Sequence, residues 1–194
     1  MKKNKLFLLL GKSSSGKSVT EKEIDRLGYA KKITSTTTRK PRSYEIDTVD
    51  YFFISQDVFD IYLKQGQYAE HSTYPTVWGN ASYGINKNDI KLDRFNGIAV
   101  VNPDGHRQLV KSLGKENVVS IYIERDDRER VISAIERDKS KDLRKLLKEI
   151  DRRLEADEID FKSVADEVDY KIKNVDLEQT IQQVINIIKV ETGE

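Results

Sequence analysis

The sequence predicts an α/β fold: a three-layer P-loop fold with a mostly parallel central sheet, an inserted lobe and a helical lid. Two observations carry the core of that expectation. The apolar run at residues 6–10 leads directly into Gly11-Lys12-Ser13-Ser14-Ser15-Gly16-Lys17-Ser18, a complete phosphate-binding loop placed where a strand should turn into a helix. Further strand-like runs at residues 98–102, 118–124 and 170–174 are separated by helical patterns, and such alternation implies a mostly parallel sheet.

The elements follow in order. Successive backbone N–H groups of the loop point inward, its glycines let the chain pass close to phosphate oxygens, and the next helix adds its positive dipole end. Lys17 can reach the β- and γ-phosphates, and Ser18 offers a hydroxyl to Mg²⁺, a hard cation that takes few protein oxygens. Residues 34–89 interrupt the alternation with a Thr-rich strand, a turn at Lys40-Pro41-Arg42, a strand at 51–54 and a Ser55-capped helix. That helix holds Val58, Phe59, Tyr62 and Leu63, and Gly66 is placed to stop it. The stretch is aromatic-rich and turn-rich, as a smaller inserted lobe would be. After the strand at 98–102, Asp104 is placed to cap a helix with Leu109, Val110 and Leu113, ended by Gly114. Residues 126–161 carry Leu143, Leu147, Ile150 and Leu154 at helical spacing among many basic residues, a pattern suited to a mobile lid. Asp176 and Gln179 resemble a capping box opening the last helix, whose apolar face is Ile181, Val184, Ile185 and Ile188. The expected organisation is one domain, with its core at 1–33, 90–125 and 162–194, a lobe at 34–89 and a lid at 126–161.

Composition narrows the rest. The 194 residues suffice for one substantial domain. With 34 Lys plus Arg against 33 Asp plus Glu the net charge is +1, so no global field draws in nucleic acid or an anionic membrane. Neither is expected as a partner. Cysteine is absent, which removes disulfides, thiol catalysis and cysteine zinc sites and fits a reducing cytoplasm. The start Met1-Lys2-Lys3-Asn4-Lys5 mimics a signal peptide, but the apolar run behind it is short and ends in the phosphate loop. Nothing approaches membrane-spanning length.

A phosphate loop alone serves GTPases, motors, kinases and transporters, so it fixes the ligand more than the reaction. The second constellation discriminates. Ser35-Thr36-Thr37-Thr38-Arg39-Lys40-Pro41-Arg42, then Glu45, Asp50-Tyr51-Phe52-Phe53, Tyr68-Ala69-Glu70 and Tyr83-Gly84 resemble, in order and spacing, the guanylate kinase family over almost the whole chain. The resemblance implies transfer of the γ-phosphoryl group of ATP to a nucleoside monophosphate, GMP or dGMP first, with Mg²⁺ accompanying the ATP. It implies that Gly11, Ser13, Ser14, Ser15, Gly16, Lys17, Ser18 and Val19 bind ATP, with Asn174 beside its adenine. By the same resemblance Arg39, Arg42, Tyr51 and Tyr83 hold the acceptor phosphate, and Glu70 and Ser35 read the base. Lys17, Arg39, Arg137 and Arg153 are the catalytic group, the last two closing from the lid. An arginine pair suits an acceptor phosphate because a guanidinium fork binds oxygens bidentately and stays charged.

Three departures from the family pattern bear on function. Ile85 stands where the family places a Ser or Thr facing guanine's carbonyl, and Val100 and Asn102 replace its acids at the end of the central strand, leaving water or Asp104 to complete the metal site. The segment 72–82, with Tyr74, Pro75 and Trp78, is long and adjoins the base-reading positions. These changes keep open a kinase for other or several (deoxy)nucleoside monophosphates. An inactive interaction module is the reading from a different class, and the intact Gly16, Lys17 and Ser18 oppose it. Asn86-Lys87-Asn88-Asp89 spells the guanine box of small GTPases but follows no apolar strand. A monomer is compatible with the sequence, which does not fix the oligomeric state.

Overall fold

The computed structural model describes residues 3–42, 44–77, 79–137 and 142–193. Strand β1 (Leu6–Leu10) is buried along its whole length, and its side chains divide by the period of two. Leu6, Leu8 and Leu10 enter one apolar cluster with Leu109 and Val164, while Phe7 and Leu9 enter another with Ile24, Val184, Ile185 and Ile188. Two cores on opposite faces of one sheet make the three layers the sequence predicts.

The central sheet has the order β2-β7-β1-β8-β9, from β2 (Lys31–Lys32), β7 (Gly97–Val100), β8 (Val118–Glu124) and β9 (Tyr170–Lys173), and every pairing in it is parallel. β1 lies between β7 and β8, so its C-terminal end opens at the point where the strand order reverses direction, the usual ligand crevice of such sheets. Helices α1 (Lys17–Arg26) and α7 (Leu177–Thr192) supply Ile24 and the Val184, Ile185, Ile188 stripe to one face, and α3 (Pro103–Leu113) supplies Leu109 to the other. Asp176 caps α7 as expected, accepting from the Gln179 N–H. The cap of α3 is different: Asn102 Oδ1 accepts from the Gly105 N–H at 2.6 Å, and Asp104 sits exposed inside the first turn.

The lobe is a second sheet, ordered β4-β3-β6-β5 from β3 (Thr36–Thr37), β4 (Phe52–Phe53), β5 (Tyr68–Thr76) and β6 (Gly79–Asn86), with α2 (Gln56–Lys64) against it. Ser55 caps α2 through the Val58 N–H, and Phe59 is its buried anchor, stacked on Tyr68 with centroids 4.6 Å apart. The long segment after Glu70 is thus the β5–β6 hairpin, and Trp78 lies outside the described residues. A register shift between Tyr68 and Glu70 re-aims Glu70. Asn86 of the apparent GTPase box caps the short turn Lys87–Asp89 by accepting from the Asn88 N–H, so that tetrapeptide is local structure.

The segment 126–161 forms α4 (Asp127–Arg137) and α5 (Leu143–Asp160), and α6 (Val164–Glu167) follows. The buried line of α5 is Leu146, Glu149, Ile150 and Asp157, while Leu143 and Leu147 are exposed. The helical period is as expected, but the inward face is one position away from the leucine stripe and carries two acids.

Candidate active site

The phosphate loop is shaped by steric necessity at two glycines. A Cβ on Gly11 would lie 2.4 Å from the Ile123 carbonyl oxygen, and one on Gly16, at φ +103°, would lie 2.4 Å from Asn174 Nδ2. Lys17 folds back over the loop, donating to the carbonyls of Gly11 (2.6 Å) and Lys12 (2.9 Å). Burial pulls its ammonium down to about 8, with Asp157 opposing and Arg130 and Arg137 adding to the fall. Ser15 is buried, Ser18 and Val19 are exposed at the start of α1, and Ser14 takes a left-handed φ of 61°. Asn174 sits behind the loop: its Nδ2 donates to the Ser15 carbonyl at 2.8 Å and its Oδ1 accepts from Thr180 at 3.1 Å, so its amide braces the loop.

A cleft of about 280 Å³ opens between loop, lobe and lid, and it brings together Lys17, Ser35, Arg42, Tyr51, Glu70 and Tyr83 with Arg153 of α5. Tyr83 stands edge-on to Tyr51 and tilted to Tyr74, with centroids 6.1 and 6.3 Å apart, forming an aromatic wall. Arg39 lies behind this wall, its guanidinium 4.9 Å from the Tyr51 ring centroid and doubly bonded to Glu45 at 2.6 Å each. Arg42 shares Glu45 at 3.1 Å. Burial pushes the Glu45 carboxyl up, but the hydrogen bonds from Arg39 and the Arg42 N–H outweigh it and hold it below its ordinary value. A single carboxylate thus organises both arginine forks, as an acceptor phosphate would.

Glu70 is almost fully buried at the far end of the cleft. Burial pushes its carboxyl up to about 7, the Ile85 N–H pulls it back and Asp104 adds to the rise. Ile85 itself is wholly buried in the cluster of Ala69, Val101 and Leu109, so its side chain offers the cleft no polar group. Ser72 and Asn102 do line the cleft, joined by a 3.0 Å hydrogen bond from Asn102 Nδ2 to Ser72 Oγ.

The lid contributes more than its two expected arginines. Arg137 lies at the exposed end of α4 with Nη2 3.4 Å from Ser14 Oγ, away from the cleft. Arg152 joins Arg153 in the cleft, and both donate to the buried Glu149, at 3.0 Å and 2.7 Å, which also accepts from the Val77 N–H of the β5–β6 turn at 3.3 Å. Asp157 accepts from the Ser13 N–H at 2.9 Å and pairs with the buried Arg130, whose Nε donates to the Ser13 carbonyl at 2.7 Å. Sequence reading misses Arg130, Glu149 and Asp157, which have partners on other elements, and Arg152, which pairs with Glu149 on its own helix; the adjacent Arg152-Arg153 pair was the one visible signal.

The family profile described as guanylate kinase matches residues 3–191. The guanylate kinase of Wolbachia pipientis wMel is 31% identical over 190 residues, covering 96% of this chain and 90% of that protein. That of Fusobacterium nucleatum subsp. nucleatum is 30% identical over 200 residues, covering 95% of each. Among solved structures, guanylate kinase from Anaplasma phagocytophilum matches the fold with a TM-score of 0.70 at 24% identity, covering 100% of this chain and 89% of that one.

Proposed function

The chain belongs to the guanylate kinase family and is a nucleoside monophosphate kinase, and from that premise we propose how its residues divide the transfer of the γ-phosphoryl group of ATP to GMP, giving ADP and GDP. The observation that carries the division is the single cleft in which Lys17 of the phosphate loop faces Arg42, Tyr51, Tyr83 and Glu70 of the lobe.

The loop N–H groups and Lys17 hold the donor phosphates. Arg42 and the hydroxyls of Tyr51 and Tyr83 hold the acceptor phosphate, with Arg39 reaching it once that phosphate competes for the forks now on Glu45. Ionised Glu70 accepts from guanine N1–H and the 2-amino group, a pair adenine does not present, and Ser35 lines the same cleft. The acceptor phosphate is already anionic, so no general base is needed. Catalysis is positioning plus stabilisation of the charge spread over the transferring group, supplied by Lys17 and the cleft arginines Arg152 and Arg153. Helix α5, docked on both the loop and the hairpin, excludes the water that would otherwise hydrolyse ATP.

The residues fit a Mg²⁺ ion. Ser18 presents an exposed hard-oxygen donor at the loop's end, and among the described residues no cluster of three or more His, Cys, Asp or Glu would hold a metal without the nucleotide. When bound, Mg²⁺ neutralises charge developing on the β- and γ-phosphate oxygens. No helix among the described residues is long and apolar enough to cross a membrane. The lack of cysteine supports a cytoplasmic setting.

The test is ATP consumption with Mg²⁺ against GMP, dGMP, AMP, dTMP, CMP and UMP in turn. GMP should stimulate it most, and Lys17→Ala should lower turnover about 100-fold or more. Stimulation by no monophosphate, or wild-type turnover in the Lys17 variant, would sink this reading.

A further inference from the structure

Phosphate-loop enzymes usually hold their Mg²⁺ partly through an acid beside the loop. Here β7, the strand next to β1, ends in Val100 with Asn102 beyond it. Asp104, the nearest acid in sequence, faces elsewhere: its Oδ2 accepts from Gln108 at 2.7 Å, and its charge acts on Glu70 in the base corner.

Glu21 is placed differently. It follows Ser18 by three positions on α1, so the two side chains are neighbours on one helix face. Its Oε1 accepts from the Val100 N–H at 3.0 Å, which sets the carboxylate at the end of β7, where the strand lacks its acid. A cavity of about 30 Å³, enough for ordered water, is lined by Glu21, Ser18 and Val100 together with Asp50 and the lysines Lys22 and Lys32. Bracing the Val100 N–H occupies Oε1 alone. Oε2 accepts no hydrogen bond among the described residues: Lys32 Nζ, 3.9 Å away, donates to the Val49 and Asp50 carbonyls, and Lys22 pairs with Asp50. A carboxylate only 5% exposed thus lines the space it shares with the metal-binding hydroxyl, with its Oε2 in a 3.9 Å ion pair with Lys32 and in no hydrogen bond among the described residues.

Resting on the kinase reading above, we propose that Glu21 is the carboxylate of the donor-metal site, a positioning residue that acts from α1 in place of the missing strand-end acid and orients water on the Mg²⁺ held with Ser18. Asp104 has no part in that site.

Calorimetric titration of a non-hydrolysable ATP analogue, with and without Mg²⁺, tests this on wild-type protein, Glu21→Gln and Asp104→Asn. Glu21→Gln keeps an oxygen for the Val100 N–H, so its metal-free affinity should match the wild type. Its Mg²⁺-dependent gain in affinity should fall about tenfold, as for the loss of a residue that supports a metal ligand, while Asp104→Asn keeps the gain. Should Glu21→Gln not fold, Glu21→Leu, which fills the space without an oxygen, reads the same loss. An unchanged gain at position 21, no gain in the wild type, equal losses with and without metal, or the loss appearing in Asp104→Asn would each overturn the assignment. Failure of the wild type to bind the analogue under either condition is the separate result that removes the kinase reading, and this proposal with it.

Discussion

At the scale of single residues, the proposed role of Glu70 makes acceptor choice turn on its protonation. Ionised, it offers two acceptors to the guanine edge; protonated, it offers one acceptor and a donor that guanine's N–H groups oppose. Because burial places its carboxyl near 7, the ionised fraction climbs from about a tenth to about nine tenths between pH 6 and pH 8, and the KM for GMP should fall about tenfold over that range. The second ionisation of GMP's own phosphate, near pH 6, contributes at the acid end, and Glu70→Gln isolates it: that variant should lose the part of the profile centred near 7. An unchanged profile in Glu70→Gln would remove Glu70 from base reading. The stability sign is opposite. A carboxyl raised from 4.5 to about 7 binds its proton in the folded state where the unfolded chain has released it, so stability is lost as pH rises from about 4.5 to 7. Glu70→Gln should accordingly gain on the wild type in melting temperature from pH 5 to pH 8. The residues of this corner were legible where a motif frames them, as with Glu70 and Tyr83. Ile85 was legible as a missing hydroxyl, but its place in the core, and the Ser72–Asn102 hydrogen bond in the cleft, depend on the hairpin register.

At the scale of elements, α4 and α5 are fastened to the phosphate loop by one buried ion pair. Arg130 is 2% exposed, pairs with Asp157 and donates to the Ser13 carbonyl, while Asp157 receives the Ser13 N–H. Removing one partner of a buried pair strands the other charge, at a cost of about 3 to 5 kcal/mol. For a domain of this size Arg130→Met should therefore melt roughly 6 to 20 °C lower, measured by calorimetry, and a shift under about 2 °C would show that the pair contributes little to stability. The same fastening explains where the sequence was readable. The strands of the central sheet, the Ser55 and Asp176 caps and the apolar face of α7 follow from periodicity and capping chemistry within each element. The inward face of α5 does not, because Glu149 and Asp157 are buried by partners on the hairpin, α4 and the loop, and a hydrophobic pattern assigns such acids to solvent. The β5–β6 hairpin escaped for a related reason: its Ser, Pro, Gly and Asn content reads as loop, and its ladder forms only between the two strands. Arg130 and Glu21 gain their roles in the same way, from pairings across elements.

At the scale of the whole molecule, one cleft joins the two proposed phosphate sites, built from different layers: the loop at the end of β1 and the arginine and tyrosine wall of the lobe, with α5 residues lining the same cleft. The net charge of +1 gives no long-range pull on nucleotides, so affinity must come from local cations and from holding both ligands at once. A molecule carrying adenosine and guanosine on one oligophosphate chain converts the second binding event into an intramolecular one. With a linker that spans the sites, the gain over either nucleotide alone is about 10² to 10⁴. Adenosine pentaphosphoguanosine should therefore bind at least about 100-fold more tightly than ADP or GMP and compete with both ATP and GMP. At 100 times its dissociation constant it should stabilise the fold by about 2.7 kcal/mol, raising the melting temperature by roughly 5 to 11 °C. Lys17→Ala and Arg42→Ala should each weaken this one ligand, since each holds an opposite end of the same phosphate chain. Competition with ATP alone, with no gain over ADP, would mean that the two phosphate sites do not face each other across the cleft, and the assignment of Arg42, Tyr51 and Glu70 to the acceptor would fall.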